Sequence, residues 1–128
     1  MNKKCVNVSG APPAAGPYSH AVISGGFVFV SGQVAIDPTS GSPRKGSFEE
    51  EARLALANLK TILEGCGTDL AHVVKITVYL ADMGNFSAFN ALYKEYFPSD
   101  FPARTCIQAG RLPLDFQVEV EAIAALPQ

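Results

Sequence analysis

The stretch FPARTCIQAGRLPLDFQVEVEAIA, residues 101–124, decides the fold. It contains two short β-prone runs, the first opened by proline and closed by Gly-Arg-Leu-Pro, with no helical pattern between them. Two consecutive strands break the strict strand–helix alternation of a doubly wound sheet. The same stretch poses a chemical question. Arg104 heads the first run, two residues from Cys106, and the second run sets Glu119 and Glu121 among aliphatic residues. One arginine and two glutamates on neighbouring strands suggest either a structural ion pair or a receptor for a small carboxylate.

Moving towards the N-terminus, residues 85–97 read as a helix whose heavy face is Phe86, Phe89, Tyr93 and Tyr96 or Phe97, ended by Pro98. VVKITVYL, residues 73–80, alternates as a strand, with Val74, Ile76, Val78 and Leu80 on one face and Lys75, Thr77 and Tyr79 on the other. The clearest helix opens at Ser47, where Ser47-Phe-Glu-Glu50 has the form of a capping box. Its apolar stripe is Ala52, Leu56, Leu59, Ile62 and Leu63, and Gly65 and Gly67 close it. Earlier still, SHAVIS and FVFVSGQ flank Gly25-Gly26 as a tight hairpin. GAPPAAGPY, residues 10–18, is too rich in proline and glycine for a helix and follows an extended path to Tyr18. The order is strand, hairpin, helix, strand, helix, strand, strand. It predicts one α+β domain over residues 1–128, with both helices on one face of a mixed sheet.

Such a sheet has a second face to cover. The apolar fraction of 48% and the mean hydropathy of +0.15 are high for a small soluble domain. Burial of that face between copies of the chain accounts for the excess.

The formal net charge of −2, from 10 basic and 12 acidic residues, leaves no broad basic footprint for nucleic acid. Lys3 and Lys4 are solvated terminal charges. No apolar run has the form of a signal peptide or the length of a membrane span. Cys5, Cys66 and Cys106 are odd in number and lack metal-ligand spacing, which fits free thiols in a reducing, cytoplasmic setting. His20 and His72 are far apart, and no metal site or cofactor is expected.

Each candidate residue has a bland reading beside a functional one. Arg104 either grips a small organic acid or pairs with Glu119 or Glu121. The two glutamates share one side of their strand and are either a wet sheet face or include a general base. Cys106 shares a strand face with Arg104, and a cationic neighbour can activate a thiol, although no histidine is near in sequence. Tyr18 either presents its hydroxyl to a pocket or packs. Gly32, after Ser31, marks a close approach or a β-bulge.

Together GPYSHAV (16–22), VSGQ (30–33), NFSAFNALYKEYF (85–97), FPARTC (101–106) and VEVEAIA (118–124) resemble the reactive-intermediate deaminase (Rid) family in order and spacing. The likeness runs from about Ser9 to Ala124. It implies a chorismate-mutase-like fold, a six-stranded mixed sheet with two helices on one face, assembled as a homotrimeric barrel with clefts between subunits. It implies hydrolysis of enamines and imines such as 2-aminoacrylate/2-iminopropanoate and 2-iminobutanoate to 2-keto acids and ammonia. By resemblance Arg104 binds the substrate carboxylate and Glu119 holds or activates the attacking water. Tyr18, Ser31, Gly32 and Cys106 match pocket-lining positions. Phe89 and Asn90 match helix residues near the cleft from a neighbouring subunit, and Glu121 matches a position without a catalytic role. His20 stands where glutamine is frequent, and Gly110 where alanine is commoner. The competing readings are a non-catalytic metabolite-binding or chaperone-like module and a 2-aminomuconate-type deaminase.

Overall fold

A computed structural model describes residues 2–128. Six strands form one sheet: β1 (Lys4–Val6), β2 (Ala21–Ser24), β3 (Phe27–Gln33), β4 (Val73–Leu80), β5 (Ala103–Gln108) and β6 (Val118–Ala125). Helix α1 (Phe48–Gly65) connects β3 to β4, and α2 (Phe86–Tyr96) connects β4 to β5. The spatial order is β1-β2-β3-β6-β4-β5. Only β4 and β5 run parallel, so the sheet is mixed, in the expected α+β class. No helix of the described residues is long and apolar enough to cross a membrane.

The hairpin turns at Gly25 and Gly26, whose φ values of 61° and 84° are the left-handed pair a two-residue turn demands. Helix α1 begins as its sequence dictates. The Ser47 hydroxyl accepts from the Glu50 N–H at 3.1 Å, and the Ser47 N–H donates to Glu50 Oε1 at 3.1 Å. The stripe Ala52, Leu56, Leu59, Ile62 and Leu63 is fully buried. It shares one core with Val28 and Val30 of β3, Ile76 and Val78 of β4, and Val118 and Val120 of β6.

Two expectations need correction. Val74 does not lie with Ile76 on the core face. A bulge between Val73 and Lys75 puts Val73 inside and leaves Val74 43% exposed. Strands β5 and β6 are not neighbours either, because β4 lies between them. That insertion settles which way the charged residues face. Arg104 and Cys106 are in register with Ile76 and Val78, so they point to the helix-covered side. Glu119 and Glu121 are in register with Tyr79 and Thr77, on the open side.

Two buried polar side chains of α1 fasten the ends of the sheet. Glu51 accepts from the backbone N–H and the side-chain amide of Gln117, both at 2.9 Å, and from the Gly46 N–H at 3.3 Å. Asn58 donates to the carbonyls of Val34 and Ile36 at 3.0 and 2.9 Å. A second small cluster of Ala35, Leu112 and Phe116 forms under these ties.

The capping box makes a first test. Ser47→Ala removes the acceptor for the third helical N–H and is expected to cost about 1 kcal/mol. At fixed protein concentration this lowers the thermal midpoint by a few degrees, whereas Ser47→Asp retains most of it.

Candidate active site

Two clefts gather the candidate residues, and they lie on opposite sides of the sheet. The first, of about 340 Å³, is lined by Asn90, Tyr93, Lys94, Phe101, Pro102 and Arg104. Its geometry follows from α2. Phe86 and Tyr93 are seven residues apart, two helical turns, and so share the face that looks down on β5. The Arg104 guanidinium carbon is 4.9 Å from the Tyr93 ring centroid and 5.6 Å from that of Phe86. Rings behind them lock the arrangement: Phe48 meets Phe89 at 6.5 Å, Phe89 meets Tyr93 at 5.7 Å, and Tyr93 stacks on Phe97 at 4.6 Å.

Among the described residues no carboxylate lies within ion-pair distance of Arg104 and no acceptor takes its N–H groups; the ion pairs form elsewhere. The reading of Arg104 as a partner of Glu119 or Glu121 in the same chain therefore fails, because the pleat sends them to opposite faces. Cys106 follows Arg104 on the helix-covered side and is half-buried. Burial pushes its thiol pKa up, and nearby Arg104 only partly opposes this. The thiol is thus not poised as a nucleophile. Phe89 is a further correction. It is completely buried between Phe48 and Tyr93, so its ring belongs to the core and reaches no cleft surface. Asn90 does line a cleft, the one that holds Arg104 of its own chain.

The second cleft, of about 460 Å³, contains Tyr18, Ser31, Gly32, Leu114, Phe116 and Glu119. Strand β3 bulges between Val30 and Gln33, and Ser31 and Gly32 are the irregular residues. The glycine is there for space: a Cβ on Gly32 would sit 1.9 Å from Glu119 Oε2 and 2.9 Å from its carboxyl carbon. Ser31 donates its hydroxyl to the Ser19 carbonyl at 2.7 Å, and the Tyr18 hydroxyl accepts from the Ala15 N–H at 3.2 Å. Lys45 reaches the Leu114 carbonyl at 2.5 Å, and Arg111 pairs with Asp115 at 2.7 Å, so this loop is held despite Gly110. His20 does not line the cleft wall as a free group. Its ring is spent on the N-terminal segment, with Nδ1 accepting from the Val8 N–H at 2.9 Å and Nε2–H donating to the Pro12 carbonyl at 2.7 Å.

The two glutamates of β6 have different fates. Tyr79 donates its hydroxyl to Glu121 Oε1 at 2.5 Å, and this hydrogen bond, with burial, pushes the Tyr79 phenol up to about 12. Glu119 is half-buried and receives no hydrogen bond from any described residue. Burial first, and the charge of Glu121 second, hold its pKa above the ordinary glutamate value. A half-buried carboxylate with a raised pKa and free lone pairs is suited to hold a water and take a proton from it. Among the described residues no three His, Cys, Asp or Glu side chains cluster as metal ligands. Phe86, Tyr93, Phe101 and Leu114 escaped the sequence reading as site residues. The seven-residue spacing of Phe86 and Tyr93 was the available signal, but it also fits ordinary core packing.

The comparisons with known proteins agree on one family under several names. The family model described as Endoribonuclease L-PSP matches residues 8–126. A RutC family protein of Pyrococcus horikoshii is 44% identical over 95% of this chain and 97% of its own length. The 2-iminobutanoate/2-iminopropanoate deaminase of Bos taurus is 47% identical over 95% of this chain and 89% of its own. The crystal structure of yeast Mmf1 matches with a TM-score of 0.93 at 40% identity, covering 98% of this chain and 100% of that one.

The contact between Gly32 and Glu119 can be measured as a coupling. Gly32→Ala overpacks the bulge and is expected to cost about 1–3 kcal/mol. Glu119→Ala in the same chain removes the obstructing carboxylate and restores most of that loss, which a double-mutant cycle in urea reads directly.

Proposed function

The chain belongs to the reactive-intermediate deaminase (Rid) family, the family of the matched Endoribonuclease L-PSP model, and from that premise we propose that it hydrolyses 2-imino and enamine acids to 2-keto acids and ammonia. The substrates in view are 2-iminopropanoate, with its tautomer 2-aminoacrylate, and 2-iminobutanoate. Relatives at 43–47% identity carry this activity in their names. The observation that carries the reading is the Arg104 guanidinium, which sits in a cleft with no carboxylate of the described residues to neutralise it. A bidentate arginine–carboxylate contact is the directional grip that a short anionic substrate needs.

The reading requires a second chain. Arg104 and Glu119 lie on opposite faces of the same sheet, so one molecule cannot bring them to one substrate. A homotrimer that packs the open sheet faces inward would set the Arg104 cleft of one chain against the Glu119 cleft of the next. The exposed Phe27, Phe29 and Ile107, at 41%, 43% and 46%, are apolar material for such an interface.

The chemistry then needs little more than placement. The enamine takes a proton from solvent at C3, which leaves the nitrogen protonated as the iminium, and C2 is then electrophilic. Arg104 holds the carboxylate. Glu119 accepts a proton from a water as its oxygen bonds to C2, giving a carbinolamine. The same proton passes from Glu119 to nitrogen, the regenerated Glu119 carboxylate takes the carbinol O–H proton as the C–N bond breaks, ammonia leaves with the 2-keto acid, and Glu119 gives its proton up to solvent. Fixing water and substrate in register, with one acid–base group, supplies the acceleration.

Pyruvate release from freshly generated 2-aminoacrylate tests this. Arg104→Ala lowers kcat/KM by about a hundredfold, while the thermal midpoint falls by no more than a few degrees, because two cation–π contacts but no ion pair are lost. Glu119→Ala is similarly impaired. Mixed and reassembled, the two inactive variants recover about a quarter of wild-type activity, since one interface in four then pairs an intact Arg104 with an intact Glu119. Absence of any recovery overturns the shared site.

The pH profile gives a second test. Glu119 works as the anion, and its pKa is raised, so kcat falls as pH drops through a value above 4.5. The bound carboxylate neutralises the facing guanidinium, which makes kcat, reporting the occupied site, the quantity to follow. Glu121→Gln removes a repelling charge and moves this limb to lower pH.

A further inference from the structure

We infer that the rings of Phe86 and Tyr93 seat the Arg104 guanidinium in its receptor orientation without neutralising it, which makes both positioning residues for carboxylate binding. The inference rests on the proposed role of Arg104 and adds residues that role does not itself require.

A long arginine side chain must be held if it is to receive a ligand at low entropic cost. Proteins hold guanidinium groups with carboxylates, with carbonyl oxygens or with aromatic faces. The first two occupy the N–H donors that a substrate needs, and a carboxylate also cancels the charge. An aromatic face attracts the cation through its quadrupole and leaves the edge of the fork free. Arg104 has only the third kind of partner: two rings within 5.6 Å and no acceptor among the described residues. Its near neighbours in the cleft are Asn90 and Lys94, one neutral and one of like charge.

The Tyr93 ring is a fixed surface. It is nine-tenths buried or more, wedged between Phe89 and Phe97. Its hydroxyl has no hydrogen-bond partner among the described residues, so no hydrogen bond from it to Arg104 sets the guanidinium. Burial raises the phenol pKa to about 12, so the group facing Arg104 is neutral and no ion pair forms with it. Phe86 opens α2 and covers the guanidinium from the other turn. The residues that began as a core stripe therefore have a second surface, turned to the cleft.

Binding of pyruvate by titration calorimetry, with steady-state rates beside it, tests the seat on the full-length protein. Tyr93→Leu and Phe86→Leu each weaken pyruvate binding by about threefold to thirtyfold, the range expected for losing one desolvated cation–π contact. KM rises by the same factor while kcat stays within about twofold. Tyr93→Phe rescues the binding lost in Tyr93→Leu. If Tyr93→Leu does not fold, Phe86→Leu, at a half-buried position in the first turn, reads the same effect. Equal losses in Tyr93→Phe and Tyr93→Leu assign the effect to the hydroxyl and overturn the inference. Unchanged binding in both leucine variants, with Arg104→Ala unable to bind, overturns the inference alone. Wild-type pyruvate binding that persists in Arg104→Ala, or no wild-type binding at all, overturns the proposed function and the seat with it.

Discussion

The pleat of a β-sheet governs this molecule. Side chains alternate between faces with a period of two, and pairing carries that alternation from strand to strand. Because β4 lies between β5 and β6, its register fixes Arg104 on the side of Ile76 and Glu119 on the side of Tyr79. No rotamer change brings a guanidinium and a carboxylate together through a hydrogen-bonded sheet. Each chain thus carries two separate clefts, one with the cations Arg104 and Lys94, the other largely apolar with the carboxylate of Glu119. The separation also keeps the two charges from cancelling. Placed on one face they would form a pair, and neither would be left for a substrate.

Much of the fold was legible because the local signals agreed with one another. Ser47 and Glu50 announce α1, its apolar stripe marks the buried face, and Gly25-Gly26 demands a hairpin. What local pattern cannot contain is the pairing order. Strands β5 and β6 follow each other in sequence but not in space, so the expected adjacency of Arg104 and Glu119 failed for a topological reason. Val74 failed for a related one, since a bulge changes the parity of every residue on one side of it. Glu51 and Asn58 were hidden differently. A polar residue on a helix reads as solvated, and only the structure brings Gln117 to one and Val34 and Ile36 to the other. Phe89 and Tyr93 lie four residues apart on one stripe, yet one ring is wholly inside while the other borders a cleft. The pattern fixes the stripe but not where its edge falls.

The glutamates of β6 illustrate how identical side chains on one face acquire different chemistry. Both project from alternate positions of the same strand. Glu121 meets the Tyr79 hydroxyl and is satisfied as an acceptor. Glu119 meets a backbone without a side chain at Gly32 and keeps its lone pairs. Burial first, and the charge on Glu121 second, then raise the proton affinity of Glu119, in the direction the proposed base needs. A tyrosine on one neighbouring strand and a glycine on the other are enough to give the two carboxylates different surroundings.

The exposed rings on the open face and the bare guanidinium under the helices are connected by the same geometry. Phe27 and Phe29 alternate with Val28 and Val30 along β3, so the strand that helps build the core also lays an apolar ridge on the opposite side. Under the proposed assembly that ridge is buried between chains, and burial there does two things at once. It removes apolar area from water, at about 25 cal/mol per Å², and it brings the missing half of each cleft into place. Association and site completion would then be one event rather than two. On that proposal a change confined to the ridge, far from Arg104 and Glu119 in the chain, would disable the site as surely as a change in either, because the proposed carboxylate receptor and the proposed water-holding carboxylate would meet only between two chains.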